Sequence, residues 1–145
     1  MNPIRDDPGA GTQEITLQQA TLIACVDDDP TVLKAMEDLL DAAGFEVDGF
    51  SSAEDFLNRG QLKATSCLIT DVHLGCMSGL QLQARLATSG FKIPTIVISA
   101  FVTEQVRIRA FGFGAVCVLS KPVRKEDLLK GIQDALQRGR GDEKV

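Results

Sequence analysis

The stretch that decides the fold is TLIACVDDD, residues 21–29. A short apolar run leads without interruption into three consecutive aspartates. Three later runs have the same design: SCLIT leads into Asp71, TIVI into Ser99 and AVCVLS into Lys121. Continuous apolar runs of this length are typical of parallel strands that are covered on both faces. The four runs therefore predict neighbouring strands of one parallel sheet.

Helical segments separate these runs. Asp29 suits an N-cap, Pro30 suits a first helical position, and Gly44 suits the end of a helix. Between them, apolar residues recur at helical spacing, at positions 32, 33, 36, 39, 40 and 43. Ser51 and Glu54 fit a capping box in front of a short second helix. Further helices are predicted at about residues 79–88 and 103–111 and, in the last segment, around residues 128–136.

With a short strand at residues 45–50, five strands alternate with five helices. This alternation predicts an α/β fold: a doubly wound, flavodoxin-like, five-stranded parallel sheet of order 2-1-3-4-5 with helices on both faces. Residues 21–137 form the predicted domain. Residues 1–20 are predicted to be a flexible N-terminal extension, and residues 138–145 a C-terminal tail or the start of a linker.

Composition excludes several classes of function. The 145 residues contain no apolar run near the roughly 20 residues that a membrane span needs, and no signal peptide is evident, so we expect a cytoplasmic protein. The net charge is −5 without a long basic stripe, which argues against direct nucleic-acid binding. The four cysteines lack metal-ligand spacing and are expected to be free thiols.

The chemistry-bearing residues follow the strands. Because ligands of open α/β sheets bind outside the carboxyl ends of the strands, Asp27, Asp28, Asp71, Ser99 and Lys121 are expected to lie at one edge. Gathered carboxylates bind either a proton or a cation, and Mg²⁺ prefers such oxygen ligands while sharing a substrate phosphate. A lysine and a hydroxyl would bind the remaining phosphoryl oxygens, and an aspartate can act as the nucleophile. The set predicts phosphoryl transfer.

Each of these residues also has a plainer explanation. An Asp-Asp pair after a strand is commonly a solvated turn or a helix cap, and Ser99 alone would suit a turn. Lys121 with Pro122 would suit an ordinary loop. The functional interpretation depends on their joint occurrence, each at the end of a separate predicted strand.

From about residue 21 to residue 137, the chain resembles the response-regulator receiver domains of two-component signalling. The resemblance rests on VDDD at 26–29, TD at 70–71 followed by MSG at 77–79, VISA at 97–100 and SKP at 120–122. SAEDFL at 52–57 further resembles the FixJ/NodW-like branch, whose members often carry a helix-turn-helix output domain.

The resemblance implies a role for each matched residue. Asp71 corresponds to the phosphoacceptor and to a Mg²⁺ ligand. Asp28 would be a direct Mg²⁺ ligand, with Asp27 acting through water. His73, two residues after the acceptor, would offer its backbone carbonyl to the metal.

Three further positions would respond to the phosphoryl group. Ser99 would bind a phosphoryl oxygen and report its arrival, while the small Ala100 leaves room beside the site. Lys121 would pair with the acyl phosphate.

The chain departs from the family at three positions. Gly75 stands where receivers usually have a proline, so the loop after Asp71 is expected to be more mobile. Val118 replaces the Tyr or Phe that swings inward on activation in many receivers. Phe101 is bulky at a position that controls water access in this family, so we expect it to shield the acyl phosphate.

These observations predict a phosphorylation-controlled switch, not a conventional enzyme. A sensor histidine kinase would supply the phosphoryl group, and the surface around residues 103–137 would change its binding to a second copy or to a downstream partner. Control of transcription would need an output domain that this sequence does not contain.

Two alternatives remain open. The run of residues 27–31 also matches Asp-x-Asp-x-Thr, the first motif of haloacid-dehalogenase-type phosphatases, with Asp27 as nucleophile and Asp29 as acid. This alternative leaves Asp71 without a role, and no acidic pair ends a strand after Lys121. The other alternative is an interaction module that keeps the receiver fold but works without phosphorylation.

Overall fold

A computed structural model describes residues 21–144, with side chains described through residue 139; the predicted extension at 1–20 lies outside the described residues. Within residues 21–144, strands and helices alternate strictly. They are β1 Leu22–Val26, α1 Pro30–Ala42, β2 Glu46–Phe50, α2 Ala53–Arg59, β3 Thr65–Asp71, α3 Gly79–Thr88, β4 Thr95–Ser99, α4 Glu104–Gly112, β5 Ala115–Ser120 and α5 Lys125–Lys144.

The strands form one five-stranded sheet, within the described residues, in the order β2-β1-β3-β4-β5, and every neighbouring pair is parallel. This confirms the predicted doubly wound, flavodoxin-like fold. The register aligns the carboxyl ends of the strands: Val26 lies opposite Thr70, Asp71 opposite Ile98, and Ser99 opposite Ser120. The polar residues that end these strands are therefore brought to one edge of the sheet.

Burial on both faces explains why the strands are continuously apolar. In β1, Ile23 and Cys25 pack toward α1 and α5, whereas Ala24 and Val26 pack toward α2 and α3. All five β1 residues are buried. Successive side chains of a strand point to opposite faces of the sheet, and here both faces are covered by helices. Every position of a central strand must therefore be apolar.

The helix starts are set by short polar side chains. Asp29 caps α1 by accepting a hydrogen bond from the Thr31 N–H, as predicted, with Pro30 at the first helical position. The predicted Ser51–Glu54 box is wrong by one residue, because it is Ser52 that accepts from the Asp55 N–H at 3.0 Å. Two adjacent serines gave the sequence pattern two possible registers, and burial of the next residue in the core selected the second one.

The last two helices differ from simple amphipathic helices. Helix α5 continues through Lys144, past the two glycines where a tail was expected to begin. A glycine within a helix costs only about 1 kcal/mol relative to alanine, too little to end a helix by itself. Helix α4 fully buries only Ala110 among its side chains and leaves Ile108 63% exposed. No helix within residues 21–144 is both long and apolar enough to cross a bilayer.

Candidate functional site

One lysine joins the ends of three strands. Lys121 follows β5, and its Nζ lies 2.7 Å from Asp71 Oδ2 at the end of β3 and 3.0 Å from Asp27 Oδ2 just after β1. The carboxylate side chains are only 6% and 1% exposed, and the lysine side chain is 22% exposed. These three predicted site residues are therefore in direct contact, although Lys121 lies 50 residues from Asp71 in the sequence.

The two acids make the ammonium harder to deprotonate. Burial by itself lowers the pKa of Lys121, but the hydrogen bond to Asp71 and the contact with Asp27 outweigh burial and raise that pKa above its ordinary value. Lys121 therefore carries a positive charge that faces two nearly buried carboxylates.

Both carboxylate oxygens of Asp71 have a partner. Oδ2 accepts from Lys121, and Oδ1 accepts from the backbone N–H of His73 at 3.1 Å. The His73 side chain is exposed, so it is the backbone of this residue that orients the acid. The two contacts fix the orientation of the carboxylate at the edge of the sheet.

The Asp27 carboxylate is less well satisfied. Its Oδ1 accepts from the Asp29 N–H at 2.9 Å. Its Oδ2 is buried and has only the ion pair with Lys121, since no aligned hydrogen bond reaches it from any described residue. Burial raises the pKa of the Asp27 carboxyl, although the Asp29 N–H and the Lys121 ammonium oppose that rise. This oxygen is in need of a further positive partner.

Three carboxylates converge at this point. Ligand oxygens of Asp27, Asp28 and Asp71 all lie within 4.8 Å of one another, with Asp28 exposed and the other two buried. All-oxygen ligands with one side open to water suit Mg²⁺, which keeps several of its own waters. The incompletely satisfied Asp27 oxygen agrees with a cation at this position. The donor set therefore fits the metal that the sequence predicts.

The serine that ends β4 is part of a closed loop of hydrogen bonds. Ser99 Oγ accepts from the Phe101 N–H at 3.0 Å and donates to the Phe101 carbonyl at 3.1 Å. Ser99 is fully buried, whereas Ala100 and Phe101 are exposed. Ser99 lies at the predicted edge, but its hydroxyl is bonded to its own loop and to neither carboxylate.

Val118 is half-buried on β5 opposite Val97, and it packs against the cluster that also contains Ala110. Its side chain has no atoms beyond Cγ. Val118 thus lies between the sheet and α4, and its side chain is too short to reach the site.

Sequence reasoning missed one close contact at the site. A Cβ added to Gly79 at the start of α3 would collide with the Asp71 carbonyl oxygen, and the Gly79 N–H bonds Val72 O at 2.9 Å. A capping box formed by Ser78 and Gln81 holds this helix start in place. The Ser-x-x-Gln pattern was available as a signal for the box, but the close approach to Asp71 is a tertiary contact without a local sequence signal.

Comparisons with known proteins agree with this geometry. The sequence pattern of the response regulator receiver domain matches residues 23–133. Response regulator protein TmoT of Ectopseudomonas mendocina is 42% identical over 135 residues, covering 92% of this chain and 61% of TmoT. Nodulation protein W of Bradyrhizobium diazoefficiens is 36% identical over 119 residues, covering 82% of this chain and 52% of that protein.

A solved structure supports the same relationship. The response regulator StyR superposes with a TM-score of 0.80 at 33% identity, covering 86% of this chain and 63% of the StyR chain. The chain thus spans between half and two thirds of the length of these three proteins.

Proposed function

The chain belongs to the response-regulator receiver domain family, and from this premise we propose that it accepts a phosphoryl group on Asp71 in the presence of Mg²⁺ and thereby switches a protein-binding surface. The observation that carries the proposal is the joint contact of Lys121 with Asp71 and Asp27, beside the third carboxylate of Asp28. Acceptor, counter-charge and metal ligands meet at one point.

The proposed transfer conserves atoms and electrons. A carboxylate oxygen of Asp71 forms a bond to the phosphorus of a phosphohistidine, the phosphorus–nitrogen bond breaks, and its electron pair returns to the imidazole. Mg²⁺ bound by Asp27, Asp28 and Asp71 would neutralise charge that develops on the phosphoryl oxygens. The His73 backbone carbonyl is a further proposed ligand. The donor is proposed to be a sensor histidine kinase in the cytoplasm.

Each protein group then has a task that follows from its position. Lys121 already lies 2.7 Å from the acceptor, so it can stabilise the negative charge of the new acyl phosphate without a large movement. Ser99 can donate its O–H to a phosphoryl oxygen only after it leaves the Phe101 carbonyl. Ala100 adds little bulk beside that path.

Helix α4 supports the proposal of a switched surface. It exposes Ile108 and Phe111, which are 63% and 41% exposed, and the Arg107 guanidinium lies 5.4 Å above the Phe111 ring. Apolar side chains on the outer side of a helix favour a protein partner. We propose that the surface around residues 103–137 binds a second copy or a downstream partner, with control of transcription through a separate output region.

The two alternatives make different demands on the site. A phosphatase that uses Asp29 as its acid would need that side chain free, but the Asp29 carboxylate is the N-cap of α1 and bonds the Thr31 N–H at 2.9 Å. An interaction module that works without phosphorylation would need no metal and no phosphodonor.

Incubation with acetyl phosphate tests the proposal. Phosphoryl uptake, followed by intact-protein mass, is expected for the wild type with Mg²⁺ and for Asp41→Asn, a matched loss of one charge at an exposed position of α1. Uptake is expected to be lost in Asp71→Asn and with a chelator. Undiminished uptake by Asp71→Asn, or none by the wild type with Mg²⁺, contradicts the proposal; the latter result favours the interaction module.

A further inference from the structure

The hydroxyl of Ser99 is already in use. It is the donor in the 3.1 Å hydrogen bond to the Phe101 carbonyl, and it accepts from the Phe101 N–H at 3.0 Å; we call this pair of hydrogen bonds the Ser99 latch. A serine hydroxyl has a single O–H. If that O–H is given to a phosphoryl group, the Phe101 carbonyl loses its donor and the loop of residues 99–101 loses one of its two hydrogen bonds.

The side chain of Phe101 has a second link to the site. Its ring lies 6.3 Å from the imidazole of His73, centroid to centroid, in an edge-to-face arrangement with an interplanar angle of 76°. The backbone N–H of His73 in turn bonds Asp71 Oδ1 at 3.1 Å. Phe101 is therefore connected to the acceptor through His73 and to the phosphoryl-binding hydroxyl through its own backbone.

Apart from this contact, the ring of Phe101 lies mostly in solvent. It is 72% exposed, the largest exposed fraction among the large hydrophobic side chains of the described residues that face solvent. Two residues further on, Thr103 caps α4 by accepting from the Val106 N–H at 3.1 Å. A displacement at residue 101 is thus only two residues from the N-cap of the helix that carries Ile108 and Phe111.

From these contacts we infer that Phe101 reports the phosphoryl group in this chain. When Ser99 donates to the phosphoryl group, residue 101 loses one of its two hydrogen bonds to Ser99, its ring leaves His73, and the loop that leads into α4 changes conformation. The short side chain of Val118 does not take part. This inference rests on the proposed phosphorylation of Asp71 and adds the residue through which it is sensed.

The sequence offers a clean probe of this movement, because the chain has neither Trp nor Tyr. Phe101→Trp introduces a single indole at an exposed position. Beryllofluoride with Mg²⁺, a stand-in for the phosphoryl group, is expected to change the Trp emission, and the additional substitution Ser99→Ala is expected to abolish that response. In Ser99→Ala the emission without beryllofluoride should already resemble the ligand-bound emission of Phe101→Trp, since the Ser99 latch is absent.

Two controls separate the Ser99 latch from a general structural effect. Ser99→Thr keeps a hydroxyl and should retain the response. Ser120→Ala removes a hydroxyl from the exposed register neighbour on β5 and should also retain it. Mass spectrometry of each protein after acetyl phosphate treatment shows separately whether Asp71 is phosphorylated.

The outcomes are distinguishable. A protein that is phosphorylated but shows no change in Trp emission at residue 101, or an undiminished response in the Ser99→Ala background, overturns the inference and leaves the proposed function intact. Absence of phosphorylation in the wild type overturns both. A response that requires a hydroxyl at residue 99 supports both.

Discussion

Replacement of Asp28 by asparagine should stabilise the metal-free protein. Its carboxylate lies within 4.8 Å of those of Asp27 and Asp71, and one lysine pairs with those two acids. Two like charges at that distance repel by about 3.5 kcal/mol at an effective dielectric of 20 and by about 0.9 kcal/mol in bulk water. Because Asp28 is exposed and Lys121 offsets part of the charge, the lower figure applies, and we expect a gain of about 1 kcal/mol.

Magnesium should reverse the order of stability. A ligand that binds only the folded state stabilises it by about 2.7 kcal/mol at a hundred times its dissociation constant. The wild type should gain this much at such a Mg²⁺ concentration, whereas Asp28→Asn lacks one charged ligand and should gain far less. The variant is thus the more stable protein in a chelator and the less stable one in Mg²⁺.

Urea denaturation followed by circular dichroism measures both effects. Asp41→Asn is the matched control: it removes one charge from an exposed position of α1, and its free energy of unfolding should change by less than about 0.5 kcal/mol in either buffer. The reasoning is refuted if Asp28→Asn is less stable than the wild type in the chelator, or if both proteins gain equally from Mg²⁺.

Three further substitutions test other contacts. Lys121→Met leaves two nearly buried carboxylates without their cation, so it should lower the free energy of unfolding by about 2–3 kcal/mol. Urea titration in the presence of a chelator measures this loss, and a loss below about 1 kcal/mol would contradict the ion-pair account. Gln83→Met should raise the free energy of unfolding by about 1 kcal/mol, because the buried Gln83 Oε1 has no hydrogen-bond partner among the described residues. The Gln83 Nε2 makes one hydrogen bond, to Ala110 O at 3.2 Å. A lower urea midpoint for the variant would show that the loss of this bond outweighs the gain. Phe101→Ala should shorten the lifetime of the acyl phosphate, because a bulky side chain two residues after Ser99 limits the access of water to it. The lifetime is measured as the return of the intact mass to that of the unmodified protein, and an unchanged lifetime would exclude shielding.

The sequence predicts the fold because its signals are local and consistent. Continuous apolar runs indicate buried parallel strands, and the cap at Asp29 and the turn at Gly44, with φ +96°, fix both ends of α1. Right-handed crossovers between such units restrict the possible strand orders, and helices on both faces of the sheet require a reversal of strand order. The convergence of Asp27, Asp71 and Lys121 follows from the fold, since each of them ends a strand or directly follows one at the same edge.

Contacts that depend on three-dimensional packing are beyond this reasoning. The approach of Gly79 to the Asp71 carbonyl, and the ring contact between His73 and Phe101, join loops whose relative positions no periodicity encodes. The Ser99–Phe101 hydrogen bonds are local, but a serine at the end of a strand has several partners within reach. The capping register at Ser52 was likewise decided by packing of the core.

Location of the phosphoryl group tests the central claim most directly. After acetyl phosphate treatment with Mg²⁺, borohydride reduction converts an aspartyl phosphate to homoserine, which peptide mass spectrometry assigns to one residue. We predict the modification at Asp71. Modification at Asp27, or at any residue outside the contact of Lys121 with the carboxylates, would contradict the account.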